Sequence, residues 1–459
     1  VIIGILNTEK HLITGILNTD MDIGILVEQN AWWKDKRLIE EDYDIVKWKE
    51  RKYHWTPELV GSITLEPFSL HILLGPRQVG KTTTLKLLIR KLLEDRDPRS
   101  LFYFNCEELA DYKELLEVLE TYLELKDKSK IKSSCIFLDE ITSPAEWYRA
   151  IKSLVDRGRL KDDVVVLTGS TSISVKRQTE LFPGRRGKGR DYLLLPLSFR
   201  EFIKVMSPQL YEKISPVERI TTEELEEKSI QAMVFIKELN SLLEKYFNYG
   251  GFPLALEEKE EAKKAYLSWI KTGILKSGRS DIIAREILKS LLEKLQTPVS
   301  WEGISKEIEI KSPKTVAKYV ELLRSMFALI VLYHVDISAR TIKFGKNKKI
   351  HFIDPLLLEI FEEWCMVRLK NRESILAESS VATHLSGIVE NIFYWRNSSE
   401  VDVVINDEDG LKGFEVKWSD KFTASRPKNL KEFIIISKNK FSTKPLIIPL
   451  ATFLAVIER

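Results

Sequence analysis

The residues best equipped for chemistry sit in one octapeptide, Gly75-Pro76-Arg77-Gln78-Val79-Gly80-Lys81-Thr82, which completes the pattern GxxxxGK[ST]. It follows the apolar run His71–Leu74 and opens a helical period over Thr83–Leu93. Glycines near both ends let successive backbone N–H groups turn inward around a phosphate, and the helix start adds the positive end of its dipole. Lys81 would neutralise the β- and γ-phosphates of a nucleoside triphosphate. Thr82 would supply a hydroxyl to Mg²⁺, with Thr83 closing the same cradle. The cofactors this pattern implies are ATP and Mg²⁺.

A second constellation follows at Cys135-Ile136-Phe137-Leu138-Asp139-Glu140, an apolar strand ending in two carboxylates. In an open parallel sheet such ends gather at the C-terminal edge, where ligands bind. Asp139 would hold the hydration shell of the Mg²⁺, and Glu140 would polarise an attacking water, which marks hydrolysis rather than storage of nucleotide. A third strand, Val164–Thr168, ends in hydroxyls. One of these, Ser170 first, is a candidate sensor of the γ-phosphate. Arg185 is a candidate arginine finger supplied to a second copy of the chain, or equally a surface or nucleic-acid contact. The first option implies a homo-oligomer.

These residues need elements to position them. From about Leu59 the chain alternates short apolar strands (71–74, 101–105, 135–139, 164–168) with helical periods such as Thr83–Leu93 and Tyr112–Leu125, the rhythm of a parallel α/β sheet. The stretch after Phe202 turns helix-rich and acidic. Boundaries are expected near 57, 205, 293 and 356: an N-terminal extension at 1–56, whose first 20 residues echo GILNT without forming a repeat architecture and need not be structural; a nucleotide-binding core at 57–205; a helical segment at 206–292; a short unit at 293–355; and a final domain at 356–459.

The segments GPRQVGKTTTLKLLI, IFLDEITSPAEW, VVVLTGSTS, GRDYLLLPLSFREF and YGGFP occur in that order and spacing. Together they resemble the prokaryotic, archaeal-type AAA+ ATPases that carry a C-terminal domain of unknown function with a restriction-nuclease-like fold. The resemblance runs from about Gln29 nearly to the C-terminus. It implies the fold class α/β: a P-loop AAA+-type parallel-sheet core, a helical lid opened by Tyr249–Pro253, a winged helix, and a C-terminal nuclease-like α/β domain.

The unit at 293–355 reads independently as helix-turn-helix. Trp301–Ile308 forms a short amphipathic helix, and Ser312-Pro313 is placed to cap a second at Lys314–Met326. Val316, Tyr319, Val320, Leu322 and Leu323 fall on one face of it, with Lys314, Lys318 and Arg324 elsewhere. The runs Ala328–Val335 and Lys349–Ile353, joined by a basic loop, would form a wing. Lys346, Lys348 and Lys349 would contact phosphates, with DNA as the expected partner; a protein contact is the alternative.

The last segment offers Glu378 on a helical stretch, then Asp402, then Glu415 and Lys417 on alternating strands of a hairpin. Two carboxylates and a lysine converging there could bind one divalent metal and orient a water toward a phosphodiester. The pattern resembles the PD-(D/E)xK nuclease core, with Val401 where that motif has proline. A fold kept without the activity stands as the alternative, giving a nucleotide-switched regulator or scaffold.

Composition bounds these readings. The 459 residues are 44% hydrophobic and 30% charged with a net charge of +3, the profile of a soluble globular chain, too long for one core. Neither a spanning helix nor a signal peptide is legible, so no membrane is expected as a partner. Three scattered cysteines (Cys106, Cys135, Cys365) give no disulfide framework and suggest a reducing, cytoplasmic setting.

Overall fold

The computed structural model describes residues 23–170, 184–310, 312–397, 399–419, 422 and 426–459. The chain divides into two compact units. One comprises Val1–Trp48, Thr56–Leu74 and Thr82–Tyr192; the other comprises Lys49–Trp55, Gly75–Lys81 and Leu193–Arg459.

The first unit is built on a five-stranded sheet. Its strands are β1 (Ser69–Leu74), β2 (Leu101–Asn105), β3 (Cys135–Asp139), β4 (Val164–Gly169) and β5 (Asp191–Leu193), in the spatial order β2-β3-β4-β1-β5. β1 through β4 pair in parallel, with Leu70 opposite Val165 and Phe137 opposite Val166. Their near-continuous apolar sequences are what a sheet buried on both faces requires, and every residue of β1, β3 and β4 is buried. The strand ranges agree with the sequence expectation to within two residues. The order separates the strand before the glycine loop (β1) from the acid-bearing strand (β3) by β4 alone. The C-terminal end of β4 therefore lies between the two.

The edge strand β2 is closed by the aromatic N-terminal segment. Asn30 uses its side-chain amide like a strand partner: Oδ1 accepts from Tyr103 N at 2.7 Å and Nδ2 donates to Tyr103 O at 2.9 Å. The indole N–H groups of Trp32 and Trp33 both donate to Leu101 O at 3.0 Å. An edge satisfied this way offers no free ladder to another chain.

The long C-terminal stretch of the second unit opens with a helix at Phe199–Met206 whose start is a complete capping box: Ser198 Oγ accepts from Glu201 N at 3.1 Å, and Glu201 Oε2 accepts from Ser198 N at 2.8 Å. The 206–292 stretch is helical as expected, with helices that include Ile236–Tyr249, Lys259–Lys276 and Asp281–Glu293. In the first of these Leu239, Leu242, Leu243, Tyr246 and Phe247 are buried, a spacing that lines one helical face. The 250–253 turn is tied down twice, because Gly251 O accepts from Leu197 N at 2.8 Å and Gly251 N donates to Asp354 Oδ2 at 2.7 Å.

Two short helices follow, Trp301–Glu307 and Pro313–Ser325. Ser300 caps the first by accepting from Gly303 N at 2.9 Å. Ser312 precedes Pro313 but makes no side-chain cap bond, so proline's fixed φ, not a capping hydroxyl, starts the second helix. Val316, Tyr319, Val320 and Leu323 are buried, while Lys314, Lys318 and Arg324 are exposed.

The remaining strands form one mixed sheet of eight, ordered β12-β13-β11-β10-β9-β8-β6-β7. These are β6 (Leu329–Asp336), β7 (Thr341–Phe352), β8 (Ile392–Arg396), β9 (Glu400–Asp407), β10 (Gly410–Lys417), β11 (Glu432–Ser437), β12 (Ser442–Thr443) and β13 (Leu446–Pro449). The hairpin expected as a wing, β6–β7, is thus continuous with the C-terminal strands: Tyr333 pairs in parallel with Phe393 of β8. A boundary near 356 falls inside this sheet's sequence. On one face Val335, Phe393, Val401, Val404, Leu411, Phe433 and Ile447 make a core cluster. Helix Arg372–Ile388 packs on β7, β8, β9 and β10.

Among the described residues no helix is long and apolar enough to cross a membrane. All three cysteines are free and buried.

Candidate functional site

The glycine loop runs from the end of β1 into a helix at Lys81–Leu92. Gln78 and Gly80 adopt left-handed backbone, with φ of 57° and 99°, which turns the loop back toward the helix start. Gly75 is demanded by close approach, since a Cβ there would meet Leu194 O at 2.1 Å. Lys81 Nζ donates to two carbonyls of the loop, Gly75 O at 3.1 Å and Pro76 O at 2.9 Å. The loop also touches the helical segment of its own unit: Tyr266, on the Lys259–Lys276 helix, donates its hydroxyl to Gln78 O at 3.0 Å.

In the first unit the acid end of β3 is tightly specified. Thr82 Oγ1 donates to Asp139 Oδ2 at 2.6 Å, Tyr103 Oη donates to the same oxygen at 3.1 Å, and Thr168 Oγ1 donates to Asp139 Oδ1. Asp139 is 1% exposed. Burial, then the neighbouring Asp139 carboxylate, raises the Tyr103 phenol far above its ordinary range, so it stays a donor. Glu140 follows with φ of 48°, a sparsely populated conformation for a non-glycine residue. Its amide donates to Thr168 Oγ1 at 3.0 Å and to Asp139 Oδ1 at 3.2 Å, which helps to hold that geometry.

Of the expected hydroxyls on β4, Thr168 is the one engaged, with the Asp139 carboxylate and the Glu140 backbone amide, while Ser170 lies buried just beyond the strand. Arg185 is ion-paired to Asp156, the last residue of the Tyr148–Asp156 helix. Tyr103 was missed in the sequence. The signal was available: in Leu101–Asn105 it is the one aromatic residue with a polar tip, on an apolar strand beside the acid-bearing one.

The C-terminal residues are also brought together, with an addition. Glu378 lies on the Arg372–Ile388 helix, Asp402 on β9, and Glu415 and Lys417 on β10. Glu415 and Lys417 form an ion pair. Burial raises the Glu415 carboxyl, against the pull of Lys417. Asp402 Oδ2 accepts from Val416 N at 2.8 Å. Between the acids stands Lys349, from β7: its Nζ lies 2.8 Å from Glu378 Oε1, 2.6 Å from Glu400 Oε1 and 2.8 Å from Asp402 Oδ1.

Two of the three lysines expected on phosphates therefore have other roles. Lys349 is 1% exposed, and Lys348 is buried with its amine over the Trp301 ring at 5.4 Å. Lys346 is exposed on the outer half of β7 with Lys343. The physical reason is the length of β7, which continues the strand through a segment whose composition reads as a basic loop.

With these geometries in view, comparison with known proteins separates the chain into stretches. Residues 68–203 match the AAA domain family. That stretch holds the glycine loop, Asp139, Glu140 and Thr168, so the fold around the nucleotide-type site is an AAA-type P-loop α/β core. Residues 240–364 and 373–451 match two further families, each described as a domain of unknown function (DUF8612 and DUF4143). Two uncharacterized proteins of Methanocaldococcus jannaschii are each 26% identical to the chain. One match covers 75% of this chain and 74% of the relative, the other 68% and 64%.

Among solved structures, the Aeropyrum pernix ORC2 protein in ADPNP–ADP complexes is 14% identical, with a TM-score of 0.36, covering 72% of this chain and 98% of that one. The Aeropyrum pernix ORC1 protein in complex with DNA is 13% identical, with a TM-score of 0.28 over 73% and 91%.

Proposed function

We propose that the chain is a Mg²⁺-dependent ATPase of the AAA+ type that acts at DNA. The observation that carries the first half is the hydrogen bond from Thr82 Oγ1 to Asp139 Oδ2 at 2.6 Å. It joins the hydroxyl that ends the glycine loop to the carboxylate that ends β3, the two groups between which a Mg²⁺ on a nucleotide would be shared. In this reading the loop amides and Lys81 hold the β- and γ-phosphates, and Glu140 orients the water. Thr168 fixes the acids, and Ser170 reads the γ-phosphate. Arg185 would become a finger in a second copy only by leaving Asp156.

Lys81→Ala and Glu140→Gln should each lower ATP turnover at least about a hundredfold, the scale of losing a transition-state contact. Phosphate release at the wild-type rate from either variant would remove the assignment.

The DNA half is supported by the exposed cations of the outer β6–β7 hairpin (Arg340, Lys343, Lys346) and of the Pro313–Ser325 helix (Lys314, Lys318). Such contacts follow phosphates and are salt-dependent. Stimulation of ATP turnover by duplex or branched DNA, lost with Lys343 and Lys346 changed to alanine, is the expected result.

One observation favours a second reading, a nucleotide-switched regulator: the Tyr266 hydroxyl on Gln78 O gives the helical segment a direct hold on the glycine loop. ATP-dependent protection of the Lys259–Lys276 helix from hydrogen exchange, without DNA stimulation, would select it.

A further inference from the structure

The pattern of Glu378, Asp402, Glu415 and Lys417 implies a divalent cation, and the geometry allows a test of fit. Mg²⁺ takes oxygen ligands at about 2.0–2.1 Å in a near-octahedral array. It can do so here only if a cation-sized space lies among the carboxylates, and that space holds an ammonium. Lys349 Nζ is within 2.8 Å of Glu378, Glu400 and Asp402 at once.

The second oxygens are spoken for as well. Asp402 Oδ2 accepts from Val416 N at 2.8 Å, and Glu378 Oε2 accepts from Gln296 Nε2 at 3.1 Å. Glu415 is paired with Lys417. Among the described residues no group of three or more acidic, histidine or cysteine side chains converges as metal ligands. The residues present do not fit the ion while the lysine is there.

The lysine is also anchored. On β7 it pairs with Leu332 of β6, and its neighbours Lys348 and Ile350 are buried too. Burial disfavours its charge, but the carboxylates of Glu378, Asp402 and Glu400 outweigh that and keep it protonated. One further group faces the cluster. His351 is 2% exposed, its Nε2 has no hydrogen-bond partner among the described residues, and that nitrogen lies 4.0 Å from Glu378 Oε1.

We propose that Lys349 is a built-in substitute for the divalent cation, so that the C-terminal module holds its acids around a tethered ammonium and takes no metal there while Lys349 is in place. The inference goes beyond the nucleotide reading and does not depend on it. One positive charge among three carboxylates leaves the cluster negative. Removing the lysine would therefore leave three acids without their cation, oxygen donors that suit Mn²⁺ once the side chains draw in around it. The metal-activated water by which such clusters open phosphodiesters would be unavailable to the wild-type chain, whose module would serve binding and not cutting.

The test uses the full chain without nucleotide and Mn²⁺ as the probe, followed by electron paramagnetic resonance and by thermal unfolding. Wild type should show no site tighter than about 1 mM that Asp402→Asn abolishes, and Mn²⁺ should leave its Tm unchanged. Lys349→Met should gain such a site at least about tenfold tighter, and Mn²⁺ should raise its Tm, because a ligand that binds only the folded state stabilises it.

If Lys349→Met folds only when refolded with Mn²⁺, that too is the expected substitution of one cation for the other. If it folds under neither condition, wild type decides alone through Fe²⁺- and ascorbate-driven backbone cleavage. Absence of cleavage near residues 402–416 supports the ammonium. Cleavage there, or Mg²⁺-dependent cutting of plasmid DNA lost in Asp402→Asn, overturns the proposal. None of these readouts requires ATP turnover, so failure of the ATPase reading would not be mistaken for failure of this one.

Discussion

Two strand aspartates, the buried Asp139 at the end of β3 and the half-buried Asp402 within β9, are given opposite partners. Asp139 is held by the hydroxyls of Thr82, Tyr103 and Thr168, all neutral. Asp402 is held by an ammonium and a backbone amide, within a cluster where Lys349 also spans Glu378 and Glu400. Neutral donors orient a carboxylate without cancelling its charge, and a hydroxyl can itself become a ligand, so the first arrangement stays receptive to a cation. An ammonium cancels charge and fills space, so the second does not. The same residue type, given different donors, is open to a cation in one sheet and already beside one in the other.

One pair of substitutions breaks this contrast most directly. Lys349→Ala leaves three acids in a buried cluster without their shared cation, which should cost on the order of 3–5 kcal/mol of stability, read from the shift of a urea unfolding curve. Asp139→Asn keeps the shape and leaves three hydroxyls that can re-pair, so its stability should change by about 1 kcal/mol or less while ATP turnover falls. A Lys349→Ala protein as stable as wild type would mean that the ion pairs form no coupled unit, and the comparison would lose its second half.

How much of this was open to reading in the sequence depended on distance along the chain. The strands of the first sheet were legible because each is a continuous apolar run between helical periods. The glycine loop was legible because its chemistry is local. Glu378, Asp402, Glu415 and Lys417 were also found, since alternation and a short hairpin bring three of them together. Lys349 was not, because its partners lie 29 and 53 positions away and its neighbourhood, Lys346-Asn347-Lys348-Lys349, has the composition of a solvated loop. Only the pairing of β7 with β6, through a register shift at Tyr333/His334, decides which of those lysines turns inward. A clue did exist: Lys349 and His351 alternate with Ile350 and Phe352, the period of a strand with a polar face. Tyr266 on Gln78, 188 positions apart, had no local signature at all.

A third carboxylate sharpens the comparison, because its hydrogen-bond donors are backbone amides. Asp354 accepts from Gly251 N at 2.7 Å and Leu356 N at 2.8 Å. Burial pushes its pKa up to about 7, and those two amides, with Arg459, offset only part of that. A folded-state pKa above the unfolded value of about 4 means that the folded protein binds the extra proton between the two. The stability this contributes is fully present below pH 4 and is lost as the pH rises through 7. Asp354→Asn removes the titration, so the Tm of the variant should compare least favourably with wild type near pH 4 and gain on it steadily toward pH 8. Parallel Tm profiles for the two proteins would place the proton elsewhere.

The smallest expected effect lies at Asp139 and tests whether its neutral donors matter for cation readiness. Tyr103→Phe removes one hydroxyl from Asp139 Oδ2 and leaves the ring under Lys86, whose amine sits 3.6 Å from its centroid. A net hydrogen bond is worth about 1 kcal/mol, so the magnesium concentration for half-maximal ATP turnover should rise about fivefold with the maximal rate nearly unchanged. That split marks a positioning residue. A general loss of packing would lower the rate and the Tm together at every magnesium concentration, and an unchanged magnesium dependence would show that Thr82 and Thr168 suffice to aim the carboxylate.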